Sequence, residues 1–251
     1  MIDIHSHILF GVDDGPETLE ESLAMVRMAA ACGTTDMVAT AHANLKYEFD
    51  AQAVERKVAQ LQEAVGPSPR IHYGCELHLT LENVEDAVRS PGKYSIGHRG
   101  YVLVEFSDFL VPKTTPQVFA RMMEAGLRPI VAHPERNPIM QKRLSELEGW
   151  VRQGALLQVT AQSFFGRFGR SAKASAHDLM GRGLVHFLAS DAHHAEHRPP
   201  GLDEAREYVA RNFGAPAARR VLEENPRAVL AGEPLPPVPI AIKRRKRFLL
   251  W

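Results

Sequence analysis

The chain has 251 residues, a length that suits one large domain or two small ones. Hydrophobic residues make up 45% and charged residues 24%, the balance of a globular chain with a sizeable core. Lys plus Arg equals Asp plus Glu at 30 each, so there is no basic field for gripping nucleic acid.

No apolar run reaches transmembrane length, and residues 1–10 lack the basic-then-apolar pattern of a secretory signal. Cys32 and Cys75 are too few for a disulfide framework, which points to a reducing cytoplasm. Histidine, at 12 residues, directs attention to metal.

Short apolar runs rich in β-branched residues recur at 2–4, 37–40, 71–76, 101–106, 129–132, 156–160 and 185–190. Helical signals lie between them. Thr18 and Glu21 form a capping-box pair ahead of Leu19, Leu23 and Val26, and Gly33 closes that helix. Asp50 caps a helix carrying Val54, Val58, Leu61 and Val65 on one face, stopped by Gly66 and Pro67. Thr115 reads as an N-cap with Pro116 at the first helical position, and Gly126 as that helix's end. Seven βα units without a domain-length interruption argue for a (β/α) barrel, complete or one unit short, with a doubly wound sheet as the alternative.

Imidazoles and carboxylates cluster at the ends of these runs. His5 and His7, two apart on a strand, share a face. His42 follows the second run, Glu76 ends the third, Glu105 sits near the end of the fourth, His133 follows the fifth, and Asp191 and His193 follow the seventh. Asp14 lies in the first loop. Parallel barrel strands open all their C-terminal ends onto one mouth, so these groups are expected to converge there. They are too many for one four-coordinate zinc and suit two or three borderline ions such as Mn²⁺, Fe²⁺ or Zn²⁺. Each element also has a plainer reading: a core histidine, or a helix cap at Asp191. His72 and His78 share strand parity with Glu76, so one of them is placed to approach the mouth.

Seven segments carry a resemblance: Asp3-Ile4-His5-Ser6-His7, Val12-Asp13-Asp14-Gly15-Pro16, Ala39-Thr40-Ala41-His42, Gly74-Cys75-Glu76, Val104-Glu105-Phe106, Ala132-His133-Pro134-Glu135-Arg136-Asn137 and Ser190-Asp191-Ala192-His193. Together they resemble the PHP (polymerase and histidinol phosphatase) superfamily. Within it they are most similar to the bacterial metal-dependent protein-tyrosine phosphatases of capsule and exopolysaccharide loci, with Arg198-Pro199-Pro200 narrowing the match. The resemblance implies a distorted (β/α)7 TIM-like barrel of the PHP type over residues 1–232 and a three-ion centre. His5, His7, Glu76 and Asp191 would hold one ion. Glu76 would bridge to a second, completed by Glu105 and His133, and Asp14, His42 and His193 would hold the third. It also implies Mn²⁺ as the metal, with Fe²⁺ or Zn²⁺ as alternatives, and an autophosphorylated tyrosine kinase of polysaccharide export as the partner.

Phosphate ester hydrolysis suits such a site, because a metal-bound hydroxide forms near neutral pH and the ions offset phosphoryl charge in the transition state. Arg136 and Arg198, beside His133 and His193, are the candidate catalytic phosphate clamp; salt-bridged surface arginines are the plainer reading. Neither cysteine is followed by arginine at the spacing cysteine-based phosphatases need, and no Walker A sequence is present. The alternative enzyme is a histidinol-phosphate or other small-molecule phosphoesterase. A metal-stabilised regulatory module is the non-enzymatic alternative. Phe164, Phe165 and Phe168, among Arg167 and Arg170, line either a substrate-facing loop or a helix contact.

Residues 233–251 form a proline-rich, then basic and apolar tail, in which Lys243 to Arg247 are five cations and Phe248 to Trp251 are apolar. That composition suits peripheral contact with an anionic membrane and a location at its inner face. A solubilising end or a contact in a homo-oligomer is the alternative use.

Overall fold

Each apolar run forms a parallel strand in the computed structural model, which describes residues 1–237. The segment 243–251, with its expected membrane contact, lies outside the described residues. The strands are β1 (Ile2–Ser6), β2 (Asp36–Ala43), β3 (Arg70–His78), β4 (Tyr101–Glu105), β5 (Arg128–Ala132), β6 (Leu156–Thr160) and β7 (Phe187–Ala189). They lie side by side in sequence order. Helices fill the crossovers, as a right-handed βαβ path requires. The doubly wound alternative is thereby excluded, since that topology reverses strand order.

The last strand and the first close the barrel beyond the end of the β7 ladder. Asp191 N donates to His5 O and His7 N to Ala192 O, both at 2.8 Å. Asp3 ties the same seam, accepting from Ser190 N at 3.1 Å and Ser190 Oγ at 2.5 Å.

Strand register sorts the side chains. Across the pairs His42–Glu76, Glu76–Leu103, Leu103–Ile130, Ala132–Gln158 and Gln158–Phe187, one face runs continuously around the barrel. Val38, Leu103, Ile130 and Phe187 form an apolar cluster on that face, plugged by Ile96 and Val229. Their chain neighbours Met37, Val102, Val104, Val131 and Leu188 belong instead to the larger cluster that includes the helix residues Met25, Leu61, Phe119 and Trp150. The inner face is therefore apolar at its base and polar at its C-terminal end.

In β1 a bulge between Asp3 and Ser6 sets four residues against three of β2. Strict alternation would put Ile4 and His5 on opposite faces. With the bulge, Ile4 joins the inner apolar cluster while His5 joins the polar layer above it.

The cap signals at Thr18 and Asp50 form as expected. Thr115 does not cap: it lies one residue inside the helix Thr115–Glu124, and its hydroxyl donates to Pro112 O at 2.6 Å. The buried position of Thr115 and the turn at Pro112 pull the helix start back by a residue. The seventh run is shorter than expected: Val185 and His186 precede the strand, and at its other end Ser190 turns to bond Asp3.

Candidate metal centre

The nine residues expected as ligands meet above the apolar base of the barrel. Glu76 stands at the centre. Its Oε1 lies 3.2 Å from His5 Nε2 and 3.0 Å from His133 Nε2, and its Oε2 lies 3.3 Å from His7 Nε2 and 3.1 Å from His42 Nδ1. Each oxygen thus faces a different pair of imidazoles. Asp191 Oδ1 approaches His5 Nε2 at 3.4 Å and His7 Nε2 at 3.7 Å. Towards solvent, Asp14 Oδ1 lies 3.4 Å from His42 Nε2 and 3.3 Å from His193 Nε2. Glu105 sits 3.8 Å from His133 Nε2 and 3.9 Å from His42 Nδ1. The donor atoms fall into four groups of metal-site size: His7, Asp14, His42 and His193; His5, His7 and Glu76; His5, His133 and Asp191; and His42, Glu76 and Glu105. His7 and His42 each belong to two groups, so the groups share walls.

The chemistry of this donor set fits divalent ions. Nitrogen and carboxylate ligands suit borderline metals, and the acids carry the charge that offsets the cations. Burial works against the charge on Glu76, but the surrounding imidazoles, His5 foremost, hold its carboxyl well below the usual range. Burial also opposes charge on Asp191, and His5, Arg136 and Arg198 hold it low. Burial and the adjacent His7 push His193 down to about 4, which leaves its ring neutral at pH 7, as ligation requires. Buried His42 Nδ1 has no hydrogen-bond partner, and His5 and His7 point their Nε2 atoms at each other across 3.3 Å. Cations between these groups would satisfy both.

Local backbone geometry serves the cluster. His133, directly after β5, and Asp191, two residues beyond β7, have φ of 33° and 51°, which non-glycine residues seldom adopt. Gly15 brings the Asp13–Asp14 loop against the end of β1, where a Cβ would lie 2.4 Å from His7 O. Glycine alone fits there.

Three residues without a role in the sequence reading orient the ligands. Asp13 Oδ2 accepts from His7 Nδ1 at 2.8 Å and from His42 N at 3.1 Å, and Oδ1 accepts from Gly15 N at 3.0 Å. Gln158 Oε1 lies 2.9 Å from His5 Nδ1 and accepts from His133 N at 3.3 Å. Asp3 accepts from His5 N at 3.3 Å as well as from Ser190. Partners of this kind fix which ring nitrogen faces the metal. Gln158 had a visible signal, a lone amide inside the apolar strand Leu156–Thr160. Of the two histidines sharing parity with Glu76, His78 reaches the mouth, 3.3 Å from Glu105 Oε2, whereas His72 pairs with Asp36 at the base.

Arg136 and Arg198 flank the cluster. Arg136 Nη1 donates to Asp191 Oδ2, and Arg198 Nη2 lies 2.5 Å from the same oxygen at an angle too oblique for a hydrogen bond. Buried Arg198 Nε has no hydrogen-bond partner, and Nη2 has only this ion pair. Phe168 lies beneath both guanidinium carbons, 4.3 Å from Arg136 and 5.8 Å from Arg198. The phenylalanines divide: Phe168 lines the site, while Phe164 is buried against His177, Tyr208 and Phe213. Beside Glu105 and His133 opens a pocket of about 460 Å³ lined by Phe106, Phe109, Met140 and Phe168. Both cysteines are free, Cys75 buried and Cys32 half-buried.

A parallel barrel with a histidine–carboxylate cluster above its base defines a metal-dependent enzyme of the barrel hydrolase class. The model of the family described as "Capsular polysaccharide synthesis, CpsB/CapC" matches residues 1–231, and this chain belongs to that family. It is 34% identical to the tyrosine-protein phosphatase YwqE of Bacillus subtilis over 99% of each chain. It is 30% identical to the tyrosine-protein phosphatase CpsB of Streptococcus agalactiae, over 92% of this chain and 98% of that one. A crystal structure from work on B. subtilis YwqE and Streptococcus pneumoniae CpsB, described as unique metal-dependent tyrosine phosphatases, superposes with a TM-score of 0.87 at 32% identity. That match covers 94% of this chain and 96% of the other. More distantly, the lactonase Lmo2620 of Listeria monocytogenes shares the fold at a TM-score of 0.57 and 13% identity.

Proposed function

We propose that this chain is a metal-dependent protein-tyrosine phosphatase that dephosphorylates a tyrosine kinase of polysaccharide export in the cytoplasm, using three divalent ions, Mn²⁺ foremost. The observation that carries the reading is Glu76, with each carboxylate oxygen set between two imidazoles and the arginines alongside at Asp191. His5, His7, Glu76 and Asp191 would hold one ion, Glu76, Glu105 and His133 a second, and Asp14, His42 and His193 the third. Bound there, the ions supply Lewis-acid activation of water and charge neutralisation at the phosphoryl group.

The chain's own residues do the rest. Arg198 Nε is a donor without a partner, open to a phosphoryl oxygen, its Nη2 is ion-paired with Asp191, and Arg136 lines the pocket. Phe168 holds both guanidinium planes from below, which limits their swing as charge builds in the transition state. Phe106, Met140 and Phe168 give the leaving aryl group an apolar surround. A phenol leaves readily, its pKa being about 10, so the step needs little help from an acid. Residues 1–232 form the catalytic domain in this reading.

The test compares turnover of a phosphotyrosine peptide, histidinol phosphate and single-stranded DNA, with Mn²⁺ and with chelator. Phosphotyrosine is expected to be the preferred substrate, silenced by chelator and restored by Mn²⁺. Preference for histidinol phosphate would instead make the chain a small-molecule phosphoesterase.

A further inference from the structure

Most large hydrophobic side chains left in water sit on one end of the barrel. Among the described residues, Leu45 is 98% exposed, Phe109 94%, Leu81 67% and Leu110 63%, and Phe165 is also exposed. All five follow a strand's C-terminal end, and only Met28 of this class lies elsewhere. Leu45, Leu81 and the Phe109–Leu110 pair belong to the segments after β2, β3 and β4, which are consecutive in the sheet. Hydrogen bonds knit these segments together. Asn83 Nδ2 donates to Ala43 O and His78 O at 2.9 Å, and Leu79 N to Glu105 O at 2.9 Å. Isolated exposed leucines need no explanation, but a lip built from three neighbouring segments around a catalytic mouth does.

We infer that this lip binds the polypeptide on either side of the phosphotyrosine, and that it selects apolar and basic flanking residues. The inference rests on the phosphotyrosine reading above. Continuity supports it: Phe109 lines the same pocket as Glu105, His133 and Arg136, so a chain leaving that pocket runs onto Leu110 and its neighbours. Charge selects the occupant. The exposed charged groups of these three segments are Glu48, Asp50, Glu82, Glu85 and Asp108 against Lys46, Arg89 and Lys113, an acidic excess. An anionic bilayer or an acidic peptide would be repelled, whereas lysine or arginine beside an apolar residue finds complementary charge. The site then divides its tasks. The arginines and the cluster take the phosphate, and the lip reads the chain around it.

Two peptides of equal length test this, one with leucine and lysine around phosphotyrosine and one with serine and glutamate, alongside free phosphotyrosine. Wild-type kcat/KM is expected to favour the first peptide by about tenfold, the effect of burying part of one or two leucine side chains. Combining Leu81→Ser with Leu110→Ser, both exposed and outside the pocket lining, is expected to bring the two peptides within about twofold. Free phosphotyrosine turnover is expected to stay unchanged. Equal wild-type rates on both peptides would overturn the lip while leaving the phosphatase intact, as would an equal loss on free phosphotyrosine in the double variant. A variant altered only in co-sedimentation with phosphatidylserine vesicles would make the lip a membrane contact and overturn the inference. No turnover of any phosphotyrosine compound would remove both readings together.

Discussion

Asp13→Asn separates metal binding from mere stability. One carboxylate, with its side chain out of solvent, satisfies three donors: His7 Nδ1, His42 N and Gly15 N. Asparagine has the same shape but only one acceptor oxygen. If that oxygen takes the Oδ2 place, Gly15 N loses its partner. If it takes the Oδ1 place, the amide group faces both His7 and His42. Either way at least one buried donor is stranded, which costs about 1–3 kcal/mol. The second arrangement also drives the His7 proton to Nε2, the atom that faces Glu76 and Asp191. Losing a partner of this type weakens metal affinity roughly 10- to 100-fold, equivalent to about 1.4–2.8 kcal/mol. Dialysis against graded chelator, followed by elemental analysis, is expected to strip the variant at correspondingly lower chelator activity. Turnover is expected to recover when Mn²⁺ is raised. Wild-type retention of metal in a folded Asp13→Asn variant would refute the argument that Asp13 fixes His7.

Glu76→Gln is expected to lose both metal content and turnover, since one carboxylate faces four imidazoles; full occupancy by elemental analysis would remove Glu76 from the centre. Arg136→Lys and Arg198→Lys keep the charge but lose the planar fork, and each is expected to lower turnover about tenfold or more with metal content unchanged. Wild-type kinetics in both would refute the clamp. His186 supplies a pH test away from the mouth: burial lowers it to about 4, and its Nδ1 accepts from Leu157 N at 3.1 Å. The unfolded chain takes up that proton near pH 6.5 and the folded chain only near 4, so stability falls as pH drops through this window. The ring is partly exposed, so the loss between pH 7 and 5 is on the order of 1–2 kcal/mol. The fall in urea midpoint is expected to shrink in His186→Gln.

The strands and all nine clustered residues were legible because barrel physics makes them conspicuous. A glutamate ending Tyr101-Val102-Leu103-Val104, or a histidine just after Ile130-Val131-Ala132, has no place in an apolar strand unless something pairs with it. Orienting residues were harder to see. Asp13 differs from Asp14 only in which way it points, and a sequence carries no direction. Thr115 and Pro116 spell a start signal that holds locally but shifts by a residue under packing against Pro112. Phe164 and Phe168 have identical chemistry and opposite uses. Only the position of the Phe164 neighbours His177, Tyr208 and Phe213 tells them apart.

The bulge in β1 makes length a functional property of that strand. Between Asp3 and Ser6 the chain shifts register by one residue, which lets Ile4 and His5 serve the same interior at different heights. Exchanging Ile2 or Ile4 for another aliphatic residue alters packing only. Removing a single residue here would pair the stretch from Asp3 to Ser6 one-to-one with Met37–Ala39 and leave one inward position where Ile4 and His5 now share the interior, so either the apolar base or a ligand is lost. Along this stretch a one-codon deletion would be more damaging than most substitutions, because the reading of inside and outside depends on the count.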